Sequence, residues 1–117
     1  MAGKSINDVW RLVISSAADD WISDYEVQGD FQFELSLDRP IAFEQMVAQV
    51  TDWIRRGVLV PGDLVDGFAR WPGSVDELAA HFTLRAEAFQ SLSRPGQICW
   101  FDTGPNAASE LTQIEAS

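Results

Sequence analysis

Val50-Thr51-Asp52-Trp53-Ile54-Arg55-Arg56-Gly57-Val58-Leu59-Val60 is where a helical pattern gives way to a strand pattern, and its reading decides the fold. Upstream, Asp38-Arg39-Pro40 is helix-start chemistry, with proline tolerated in the first turn. Phe43, Met46, Val47, Val50 and Ile54 then recur on one helical stripe. Arg55-Arg56-Gly57 ends the helix, because cations complement the negative end of the helix dipole and glycine takes a left-handed cap without strain. Val58-Leu59-Val60 follows as an apolar, β-branched run, and Pro61-Gly62 turns the chain. The stretch predicts a helix over 39–56 and a strand over 58–60.

Working outward toward the start, Ser5 and Asp8 can cap a helix over 5–18 whose inner face is Ile6, Val9, Trp10, Val13, Ile14 and Ala17. Asp19-Asp20 breaks that helix and can cap a second over 20–28, with Trp21, Ile22, Tyr25 and Val27 inward and Gly29-Asp30 at its end. From Phe31 the period changes to two: Phe31, Phe33, Leu35 and Leu37 alternate with Gln32, Glu34 and Ser36, which predicts a half-buried strand over 31–37. Toward the other end, Asp63 to Gly73 is expected to be a loop, with Phe68 and Trp71 either folded back as plugs or exposed. Ser74 and Glu77 make a capping box for a helix over 74–93. Arg94-Pro95-Gly96 stops it, Ile98 to Asp102 predicts a buried strand, and Thr103-Gly104-Pro105 opens a helix over 105–115. The expected architecture is one α+β domain over 1–117, mainly helical, with a small antiparallel sheet of two to three strands and a helix inserted between the last two.

The 117 residues are 46% hydrophobic, enough for one core. Eighteen acidic against eight basic residues give a formal net charge of −10. Such a field repels nucleic-acid phosphates and attracts basic proteins, although acidity also serves solubility. The charge is uneven: residues 1–38 hold Asp8, Asp19, Asp20, Asp24, Glu26, Asp30, Glu34 and Asp38 against Lys4 and Arg11. One cysteine, Cys99, excludes an intramolecular disulfide and, between Ile98 and Trp100, reads as a small buried hydrophobe in a reducing compartment. The first residues lack the apolar core of a signal peptide, and no apolar run is long enough to span a membrane, so a cytoplasmic protein is expected.

The element order, together with the Val50–Val60 stretch and the run from Ile98 to Ala108, resembles a winged-helix domain. The first stretch is similar to the end of a recognition helix passing into a wing strand. The second is similar to the returning wing strand and a threonine-glycine entry into a terminal helix. The resemblance implies a DNA-reading helix over Asp38–Arg56. Two features depart from the pattern. About 37 residues, including a whole helix, separate Val60 from Ile98 where the family has a short hairpin. The polar side of the would-be recognition helix carries Glu44, Gln45, Gln49 and Asp52, with cations only at Arg55 and Arg56, whereas a DNA reader concentrates cations there.

Chemistry-bearing groups are sparse. His81 is the sole histidine and lies beside the Leu78 and Phe82 stripe; with no second polar partner it reads as a structural side chain. Cys99 sits in an apolar run, the wrong setting for a lowered thiol pKa. Ala2-Gly3-Lys4-Ser5 lacks the upstream glycine and strand of a phosphate loop. Asp63-Leu64-Val65-Asp66-Gly67 lacks the alternating acids of a calcium loop. No catalytic constellation, cofactor or metal site is expected. Asp19, Asp20, Asp24, Glu26 and Asp30 surround Trp21 and Tyr25; carboxylates near a partly exposed aromatic can steer and anchor a basic partner, and the alternative is a solvated helix start with its aromatics in the core. Among five tryptophans, Trp10 and Trp100 fit core stripes, while Trp53 and Trp71 are the candidates for exposure. The partner-binding set is therefore Asp19, Asp20, Trp21, Asp24, Glu26, Asp30, Asp63, Asp66 and Trp71.

These features predict a non-catalytic acidic binder of bacterial type, such as an immunity protein, antitoxin or inhibitor, that covers a basic toxin or nuclease-like protein. The alternatives are a winged-helix transcription regulator acting as a dimer, and a structural or adaptor subunit docking through Phe68 and Trp71. Self-association into a homodimer stays open.

Overall fold

The computed structural model describes residues 5–116; Lys4 and the Ala2-Gly3-Lys4 run lie outside them. The chain runs α1 (Ile6–Asp19), β1 (Ile22–Ser23), α2 (Asp24–Glu34), α3 (Arg39–Arg55), β2 (Leu59–Leu64), β3 (Phe68–Arg70), α4 (Val75–Ala86), β4 (Trp100–Thr103) and α5 (Ala107–Ala116). The class is α+β, as expected. The antiparallel sheet has four strands, not two to three, in the order β1-β4-β2-β3. Among the described residues no helix is long and apolar enough to cross a membrane.

The Val50–Val60 stretch folds as its pattern dictates. Trp53 and Ile54 bury the last turn of α3, and Gly57 adopts the left-handed conformation at φ 73°. That cap is also a joint. Asn106 N–H donates to Gly57 O at 2.9 Å, Gly104 N–H to Val58 O at 2.8 Å, and Asn106 Nδ2 to Arg56 O at 2.7 Å. A side chain on Gly104 would run into the carbonyl of Gly57, so the Val50–Val60 stretch and the Ile98–Ala108 run meet through paired glycines. β2 then pairs with β4 in the register Leu59↔Thr103 to Gly62↔Trp100.

Several expectations fail, each for a physical reason. Residues 31–37 are not a strand. Ser23, rather than Asp19-Asp20, starts α2 by accepting from Glu26 N–H at 3.1 Å. The helix passes through Gly29-Asp30 and ends only at Glu34. Ser36 follows at φ 53°, and Leu37 N–H donates to Gln32 O at 3.0 Å, a Schellman closure. The apparent alternation splits: Phe31 is fully buried while Phe33 is 78% exposed.

The helix expected to reach Ser93 stops at Ala86, where Ala88 N–H and Phe89 N–H turn to Arg85 O and Ala86 O, and it cannot resume through Leu92 because the buried Gln28 side chain claims that residue's backbone. Gln28 accepts from Leu92 N–H at 2.7 Å and donates to Leu92 O at 3.2 Å, groups a continuing helix would need for itself. β4 starts at Trp100 and α5 at Ala107, each two residues later than expected.

The loop expected over 63–73 is largely a hairpin, with Gly62↔Arg70 and Leu64↔Phe68 paired around Val65-Asp66-Gly67. Pro61-Gly62 lies inside β2 rather than turning the chain. Pro61 O accepts from Trp71 N–H at 3.1 Å, so the missing proline donor falls where β3 ends. Gly62 leaves room for the Phe68 ring, which a side chain there would strike.

The buried apolar residues form one cluster to which every helix and every strand but β3 contribute. Trp53, expected at a stripe edge, is at its centre: Trp10 meets it edge-on at 4.1 Å and Phe31 lies 6.3 Å away.

Candidate functional site

The tip of the β2–β3 hairpin is a turn of three residues, with Gly67 at φ 92° and Val65 N–H donating to Gly67 O at 3.1 Å. Turned outward at this tip are Leu64 and Val65, the latter 82% exposed. Phe68, held over Gly62, stacks on Trp21 with ring centroids 6.0 Å apart and an interplanar angle of 23°. Trp21 leads from α1 into β1 and remains 39% exposed. The surface thus carries Trp21, Leu64, Val65 and Phe68, from segments more than 40 residues apart in sequence.

Acids accompany each half. Asp19 and Asp20 immediately precede Trp21 and are exposed, with Asp20 Oδ1 accepting from Trp21 N–H at 2.8 Å. Asp63 and the exposed Asp66 flank Leu64-Val65. Arg85 approaches Asp63 at 4.0 Å and lies 5.0 Å over the Trp71 ring, so that cation is already engaged; Arg70 is at the far end of β3.

Two members of the expected partner-binding set are interior. Trp71 is 3% exposed: it donates to Asp63 Oδ2 at 3.1 Å, and His81 of α4 stacks on it at 4.2 Å. The exposed His81 thus serves as a lid on a core tryptophan. Asp24 is fully buried at the first turn of α2. Its Oδ1 accepts from Tyr25 N–H at 2.8 Å and Gly96 N–H at 2.7 Å, and its Oδ2 accepts from Ile98 N–H at 2.6 Å. Burial pushes this carboxyl above its usual range while the Ile98, Gly96 and Tyr25 amides pull against it. With Gln28 one turn on, Asp24 anchors the connector between α4 and β4, a structural task.

Glu26 and Asp30 lie along α2. A cleft of about 340 Å³ there is lined by Ser16, Tyr25, Gly29, Asp30, Phe33 and Arg39, among others. Burial, then the charges of Glu26 and Glu34, pushes Asp30 up to about 7. Val65, Phe68 and Phe33 were absent from the expected set. The spacing of Gly62 and Gly67 around Asp-Leu-Val-Asp is the signal that marks the hairpin.

Cys99 is buried and burial, then the charge of Asp24, holds its thiol well above the usual range, the opposite of an activated nucleophile. Among the described residues no three His, Cys, Asp or Glu side chains gather as metal ligands. At the end of α3, Arg56 is held by both carboxylate oxygens of Glu110 at 2.7 Å and covers the Trp10 ring at 4.9 Å. Arg55 stands 3.9 Å from Asp76. No protein-family model matches the chain, and no characterised protein or solved structure shows significant similarity to it.

Proposed function

We propose that this protein is a non-catalytic acidic binder that neutralises or regulates a basic protein, in the manner of an immunity protein, antitoxin or inhibitor, and that it engages its partner through the hairpin tip and Trp21. The observation that carries the reading is the apolar patch of Trp21, Leu64, Val65 and Phe68 with Asp19, Asp20 and Asp66 exposed beside it, Asp63 being turned to Trp71 and Arg85 on the other face of the hairpin. Aromatic and aliphatic burial supplies affinity at such a centre, while a rim of one charge accelerates encounter and selects the partner. Affinity purification from the native cell tests it. A basic protein recovered in stoichiometric amount at low salt, and less at high salt, is the expected result. Recovery of no basic protein at either salt refutes the proposal.

A second reading, a winged-helix DNA-binding regulator, is supported by topology. A short strand between the first two helices pairs with β4, β4 pairs with β2, and α3 runs directly into β2. Fold alone does not carry function, and the charges point the other way. Arg56 is engaged by Glu110, and the flank of α3 is Glu44, Gln45 and Asp52. Titration with duplex DNA at low salt separates the readings: the acidic-binder proposal expects no binding, and the regulator reading requires it.

A further inference from the structure

We infer that the groove between α3 and α4 is a second docking surface, and that its occupant is a cationic amphipathic helix of a partner protein. The groove is built from other residues than the hairpin patch and goes beyond the proposal above. It encloses about 380 Å³ between Pro40, Phe43 and Val47 of α3 and Thr83, Ala86 and Phe89 at the end of α4 and just beyond.

Its shape follows from how the helices meet. α3 and α4 run antiparallel: Arg55 faces Asp76, and Thr51 bonds Thr83 hydroxyl to hydroxyl at 3.0 Å. Each hydroxyl carries one proton, so one of the pair donates to its partner and the other to a carbonyl of its own helix, Val47 O for Thr51 or Ala79 O for Thr83, and the pair marks the end of the groove at Thr83. Beyond that point α4 stops at Ala86, and Gln28 holds the following connector at Leu92, which leaves the groove open beside Pro40, Phe43 and Glu44 of α3. From Pro40 to Val47 the open wall is about 10 Å long. That length accepts two turns of helix, with anchors at i, i+3 or i+4, and i+7.

Charge chooses the occupant. The charged lining side chains are Glu44 and Glu87, one on each wall, and both are exposed. Arg39, next to Pro40 in sequence, lines the cleft beside α2 instead. Ile41 and Leu84, exposed and three residues before Glu44 and Glu87, extend apolar surface outside each wall. An apolar floor between two carboxylates fits a helix with apolar anchors and Lys or Arg beside them. A second copy of this chain would bring its own net charge of −10 to the same rim.

The test is amide NMR of the full chain with a designed peptide of about 15 residues, Leu at i, i+3, i+4 and i+7 and Lys elsewhere, against the same peptide with Glu for Lys. Saturable shifts at Phe43, Val47, Thr83 and Phe89 with the Lys peptide and none with the Glu peptide are expected. The double variant Glu44→Lys, Glu87→Lys, altered only at exposed positions, is expected to weaken binding at least tenfold at unchanged melting temperature. Val65→Ser is expected to leave peptide binding intact, so failure of the hairpin proposal and failure of this one are distinguishable. The inference is overturned if the groove amides do not move, if shifts fall on the hairpin alone, if the charge reversals leave affinity unchanged, or if sedimentation shows a dimer closed over the groove.

Discussion

Asp30→Asn is expected to make the protein more stable above neutral pH and leave it unchanged in acid. Asp30 is half-buried on α2, one turn from Glu26 and one from Glu34, with Arg39 of α3 lining the same cleft. Burial and the two glutamates push its carboxyl from 3.8 to about 7. A raised folded value means that the native state keeps a proton the unfolded chain has released. The associated stability is therefore complete below about pH 3.8 and is lost as pH rises to about 7. A shift of about three units corresponds to roughly 4 kcal/mol, and the solvent contact of the carboxyl reduces this to about 2 kcal/mol. Asparagine resembles the protonated acid at every pH, so the variant recovers about 1–2 kcal/mol in alkali, or about 4–8 °C in melting temperature. Urea unfolding of both proteins at about pH 4 and about pH 8.5 measures it. Equal stability at the higher pH, or the same gain at both, would refute the reasoning.

Gly29→Ala removes a helix-interior glycine at a position where an added methyl meets no atom of the packed surroundings within 4 Å, and is expected to stabilise by about 0.5–1 kcal/mol in the same urea assay. Gly104→Ala drives a methyl into the carbonyl of Gly57 and is expected to cost about 2–3 kcal/mol by thermal unfolding. Asp24→Asn leaves the Ile98 N–H facing either a donor or a lost contact. It is expected to cost about 2–3 kcal/mol and to accelerate hydrogen exchange at Gly96 and Ile98 beyond the change in global stability.

What was legible in the sequence is what local chemistry decides. The stripe from Phe43 to Ile54, the Arg-Arg-Gly closure and the Ser74–Glu77 capping box all appear as written, the last with Glu77 N–H donating to Ser74 Oγ at 3.3 Å. The run Phe31-Gln32-Phe33-Glu34-Leu35 is ambiguous by nature. Its alternation suggests a strand, yet Phe31 and Leu35 are also one helical turn apart, and the upstream cap at Ser23 settles the matter. Asp24 and Trp71 were misplaced for another reason. Their surroundings are nonlocal: Asp24 is covered by amides more than 70 positions away, and Trp71 by His81 and Arg85 from the next helix. Of the expected binding set, Asp19, Asp20, Trp21, Asp63 and Asp66 lie on the segments that Trp21 and Phe68 bring together. Glu26 and Asp30 are on α2 beside a separate cleft.

The central claim is that Trp21 and the hairpin tip form the contact surface for a basic protein. Parallel affinity purification with the wild-type chain and a Trp21→Ala, Val65→Ser double variant, quantified by mass spectrometry, addresses it most directly. The account predicts one basic protein in about equal amount with the wild-type chain, and at least a thirtyfold loss of affinity in the variant, which remains folded by circular dichroism although loss of the Phe68-stacked Trp21 ring lowers its melting temperature. Recovery of that protein undiminished by the variant, or of no basic protein with either, would contradict it.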